Sequence, residues 1–112
     1  MDNTLQNRVQ TEEQQRLRLE ADLAASIETL FRRCPSLYGF SVQQASTVTR
    51  ERAADHLEGD LYLADVACHP LLDEERCAEL CEVVSHTLLE LVDERPEMAE
   101  LLPGRTFART LH

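Results

Sequence analysis

The chain has 112 residues, of which 43% are apolar, and a formal net charge of −10. That length suits one domain, residues 1–112, and the scarcity of aromatics (4%, no Trp) calls for a core of Leu, Val, Ile and Ala. All eleven basic residues are Arg, which excludes a Schiff-base lysine, a phosphate-loop lysine and the usual pyridoxal-phosphate chemistry.

Residues 1–16 lack the apolar run of a secretory leader. No stretch approaches the ~18–20 apolar residues that span a bilayer. The expectation is a soluble cytoplasmic protein, without a membrane partner, whose four cysteines stay reduced and form no disulfide framework.

Residues 4–33 read as a long helix. Leu19, Leu23, Ile27 and Leu30 recur at helical spacing along one face. The first half is poorer, with Leu5, Val9 and Leu17 scattered among Gln, Glu and Arg, and residues 1–16 read either as a fraying end or as a helical arm that packs on a second subunit. Pro35 disfavours helix at Cys34 and ends the segment. In residues 37–46 the period changes: Tyr38, Phe40 and Val42 alternate with Gly39, Ser41 and Gln43, as in a half-buried strand.

Residues 47–59 are polar and read as a connector. Residues 60–68 form a second strand, with Leu61 and Leu63 on one face and Tyr62, Ala64 and Val66 on the other. A helix over 73–94 follows, with Asp73 as N-cap and Glu74 and Glu75 at the positive end of its dipole. Cys77, Cys81, Val84, Leu88 and Leu91 make its apolar stripe, widened by Leu80, Val83 and Val92. Pro96 opens a short helix over 97–102 and Pro103-Gly104 stops it. Residues 103–112 read as a tail, with a short strand through Thr106, Phe107 and Thr110 as the alternative.

The fold class is therefore α+β: α-β-β-α with a short C-terminal helix. A two-stranded antiparallel sheet is marginal alone, so the expectation is a homodimer that extends the sheet.

Two clusters carry candidate chemistry. Cys68, His69, Cys77 and Cys81 lie within fourteen residues and offer the N and S ligands that zinc takes. Against that, neighbouring Cys68 and His69 point to opposite faces of a strand. Cys77 and Cys81 also fit the apolar stripe, where free cysteine is common. The second cluster is Glu79, Glu82, His86, Glu90 and Asp93 on the opposite, solvated side of the same helix. Glu82, His86 and Glu90 are spaced as a weak divalent-ion trio. Residues 73–95 carry eight acids against two arginines, which repels phosphate backbones and argues against a nucleic-acid partner.

Ser41 and the Ser85-His86 pair lack a nucleophile-elbow motif, so an enzyme is the least favoured class. Asp65 interrupts an apolar run and needs Arg50, Arg52 or solvent as its partner. The sequence reads as an acidic binding or accessory protein, needing no cofactor, that uses the Glu79–Asp93 face on a basic protein partner. The alternative is a zinc-binding or redox-linked protein built on Cys68, Cys77 and Cys81.

Overall fold

The computed structural model describes the backbone of residues 3–109 and the side chains of residues 11–109. Helix α1 spans Asn3–Arg33 and strand β1 spans Leu37–Gln44. Strands β2 (Ala53–Glu58) and β3 (Leu61–Cys68) follow, then helices α2 (Glu74–Glu94) and α3 (Met98–Leu101), and finally strand β4 (Arg105–Ala108). The strands form one antiparallel sheet in the order β2-β3-β1-β4. The α+β class holds, with four strands in place of two.

The first added strand lies in the expected connector. Its sequence, Ala-Ala-Asp-His-Leu-Glu, buries only Leu57, so hydrophobic alternation has little to show. Pairing to β3 holds it instead, through a two-residue turn between paired Glu58 and Leu61. Gly59 adopts φ 57° there, the glycine-first pattern of a type II′ hairpin. The second added strand, β4, lies in the expected tail and pairs with β1 from Gly39–Ala108 to Val42–Arg105. Thr110, the outer residue of the expected short strand, lies outside the described residues, as do the side chains of Leu5 and Val9 in the arm.

The helices cover one sheet face. Leu23, Ile27, Leu30 and Phe31 of α1 join Leu37, Phe40 and Val42 of β1, Leu61 and Leu63 of β3, Val84 and Leu88 of α2, and Met98 and Leu102 in one core. The Phe40 ring stacks between Phe31 and Phe107, at 5.9 and 5.2 Å. On the other face Ala54, His56, Ala67, Thr106 and Ala108 are open to solvent. Residues 11–18 of α1 are also exposed. The body is elongated, 64 × 34 × 22 Å, as a helix of ~46 Å requires.

Two irregularities decide which side chains face the helices. Between Gly39–Ala67 and Ser41–Ala64 the register shifts by one, so β3 carries an extra residue opposite Phe40. This is a bulge, and Asp65 within it has φ 52°. Beyond it Val66 packs on the core rather than on the expected outer face. A compensating shift between Leu37 and Gly39 turns Leu37 inward and leaves Tyr38, expected beside Phe40 and Val42, exposed. Gly39 is needed where β4 crosses, because a Cβ there would lie 2.9 Å from the Phe107 carbonyl oxygen.

Arginines tie the ends together. Arg109 donates to the carbonyls of Phe31, Cys34 and Leu37, which satisfies the open C-terminus of α1 and complements its dipole. Arg95, at the C-cap of α2, pairs with Asp22.

Candidate functional site

Helix α2 starts as its sequence dictates. Asp73 accepts the Arg76 amide at 2.8 Å, and the core-facing stripe then orients the whole helix. At about 100° per residue, Glu75, Glu79, Glu82, His86, Glu90 and Asp93 fall within an arc of about 80°, roughly opposite Val84 and Leu88. All six are exposed. The structure thus brings together the five acidic-face residues expected from sequence and adds Glu75, whose spacing from Glu79 already placed it there.

The charge on this face is not neutralised internally. His86 Nε2 lies 3.0 Å from Glu90 Oε1. Among the described residues, Glu75, Glu79, Glu82 and Asp93 have no ion-pair partner. Five of the eleven arginines are engaged elsewhere: Arg32 with Glu28, Arg52 with Asp65, Arg95 with Asp22, Arg105 with Glu20, and Arg109 on backbone carbonyls.

Val83 corrects the sequence reading. It was expected to widen the buried stripe, yet it is 45% exposed. It sits one turn beyond Glu79 and just outside the acidic arc, so the acidic face is bordered by an apolar point. The apolar stripe was already complete without it, and the helix buries only the part that faces the sheet.

The four candidate metal ligands do not converge. Cys68 and Cys77 meet, with sulfurs 3.0 Å apart. His69 instead accepts the Leu71 amide on Nδ1 and sets its ring edge-on to Tyr38 at 5.9 Å. Cys81 lies one turn farther along α2, where burial, then Cys77, raises its thiol pKa. The Cys77 thiol is also raised, first by its hydrogen bond with Cys68 and then by burial. Among the described residues no group of three His, Cys, Asp or Glu side chains is arranged to hold a metal ion, the Glu82-His86-Glu90 trio included.

The serine candidates are equally separate. Ser85 is buried in the core side of α2 and its Oγ has no hydrogen-bond partner, while His86 points to solvent. Ser41 donates to Asp65 at 2.9 Å, and Arg52 grips the same carboxylate at 3.0 and 2.6 Å. Those bonds, Arg52 first and Ser41 second, hold the Asp65 carboxyl below the usual range. Asp65 is an ionised anchor for its own bulge, with Arg52 as the partner its sequence position demanded.

No helix among the described residues is long and apolar enough to cross a membrane. Compared with known proteins, the chain matches no family model, no curated protein and no solved structure.

Proposed function

We propose that this is a soluble cytoplasmic binding protein that docks a basic protein partner on the exposed face of α2. The observation that carries the reading is the stripe of Glu75, Glu79, Glu82 and Asp93, exposed and without ion-pair partners among the described residues, with Val83 at its edge. Charge of one sign speeds and orients the encounter, and an exposed apolar residue at its border gives the partner something to bury. A helix or extended segment with Arg or Lys flanking an apolar residue fits that pattern.

The test is a pull-down comparing the wild type with Glu82→Lys/Glu90→Lys. Both substituted side chains are exposed, so the fold stays intact by circular dichroism. The wild type retains a basic protein at low salt and releases it at high salt, and the variant does not retain it. An unchanged profile removes the proposal.

The same reading includes a homodimer joined along β4. Arg109 donates its amide to Tyr38 at 2.8 Å. By the two-residue alternation of an antiparallel ladder, the Phe107 amide then also faces β1, and those of Thr106 and Ala108 face away. Beside that free edge runs a groove lined by Leu23, Ala24, Ile27, Phe31 and Phe107. Its charged rim is already paired through Glu20–Arg105 and Glu28–Arg32, which favours a neutral occupant such as a second β4 over a strongly charged segment.

A further inference from the structure

We propose that Cys68 and Cys77 form a reversible intramolecular disulfide, which makes them a redox modification site on this protein. Their sulfurs are 3.0 Å apart, so a bond of about 2.05 Å needs only a small approach. Both cysteines belong to regular elements, Cys68 as the last residue of β3 and Cys77 in the first turn of α2. The bulge at Asp65 is what brings them together: without the extra residue, Cys68 would face away from α2.

The segment between them is itself ordered. The His69 amide donates to Ser36, Leu72 to His69 and Cys77 to Asp73, at 2.8, 3.0 and 3.0 Å. Both residues are half-buried rather than enclosed, which leaves a small oxidant a way to approach. Among the described residues no third His, Cys, Asp or Glu side chain is arranged with these two sulfurs to hold a metal ion.

The oxidant class is a low-molecular-weight disulfide such as oxidised glutathione. One protein thiolate attacks it, forming a mixed disulfide and expelling one thiolate. The second protein thiolate attacks the protein sulfur of that mixed disulfide and expels the other. The two cysteines lose two electrons, the small disulfide gains them, and the two protons end on the two released thiols. The product ties the end of β3 to the start of α2.

The experiment treats the full chain with oxidised glutathione, alkylates the remaining thiols and maps the peptides by mass spectrometry. A parallel Cys81→Ser sample is required, because trypsin leaves Cys77 and Cys81 in one peptide. The expected result is loss of two hydrogen masses and a Cys68–Cys77 crosslink in both proteins. Dithiothreitol reverses it, and Tm rises by roughly 5 °C on oxidation. Cys68→Ser, checked for native circular dichroism, forms no intramolecular bond. Stable glutathione adducts without a crosslink, a Cys77–Cys81 product, or intermolecular dimers alone would overturn the proposal.

Discussion

Arg105 donates two hydrogen bonds, at 3.1 and 2.5 Å, to the carboxylate of Glu20 on α1, so β4 is bolted to the first helix by a forked pair. The arginine hydrogen bond is the main reason the Glu20 carboxyl sits below the ordinary glutamate range. A depressed carboxylate stabilises the fold fully above its unfolded pKa, about 4.3. It loses that contribution as pH falls through the lower folded value. Glu20→Gln is therefore expected to flatten the acid limb of stability below about pH 4.3. The measurement is urea midpoints across about pH 2.5–7. Superimposable pH slopes for the two proteins would contradict the assignment.

Asp65 separates backbone strain from charge. Its φ of 52° is tolerated by Gly and costly for a β-branched residue. Asp65→Gly keeps the bulge and gives up the contacts to Arg52 and Ser41, with a net change expected within about 1 kcal/mol. Asp65→Val gives up the same contacts and adds strain, and should fall below the wild type by roughly 2–3 kcal/mol. Denaturant melts check the order; a valine variant as stable as the glycine variant would remove strain from the account.

Ser85 is the converse case, a polar atom that gains nothing where it sits. Its Oγ is buried without a partner, and such a hydroxyl carries a desolvation cost. Ser85→Ala is expected to be neutral or to raise stability by up to about 1 kcal/mol. A loss of more than about 1 kcal/mol would show that the hydroxyl has a partner on the time average.

What the sequence announced and what it concealed differ by physical cause. Strong periodicity marked α1 and α2, because each buries one stripe against a core of Leu23, Leu30, Val84 and Leu88. Asp73 gave the start of α2 for the same local reason. Strand β2 buries one leucine, so its signal lay only in Gly59 between Leu57 and Leu61, a hairpin turn rather than a pattern. Strand β4 is held by Gly39, Arg105 and Arg109, contacts that no local window contains. The acidic face was legible since exposure follows from the buried stripe. The sequence grouped Cys68 with Cys77 but not as two meeting sulfurs, because their contact depends on the bulge at Asp65, and a one-residue slip reverses every side chain beyond it.

The proposed dimer along β4 makes its own demand. Thr106 is exposed and, by the ladder's alternation, its amide points away from β1. Proline there removes an outward donor without removing a bond to β1. Thr106→Pro is expected to keep the helix and sheet content of the wild type. It should also convert the dimer to a monomer of 12.8 kDa in sedimentation at micromolar concentration. Ala24, an exposed residue that lines the groove beside the edge, supplies an independent handle: Ala24→Glu should have the same effect by placing a charge where the second copy would bury it. A wild-type protein that sediments as a monomer throughout the micromolar range would end the dimer reading. It would leave the acidic face of α2, on the other helix, untouched.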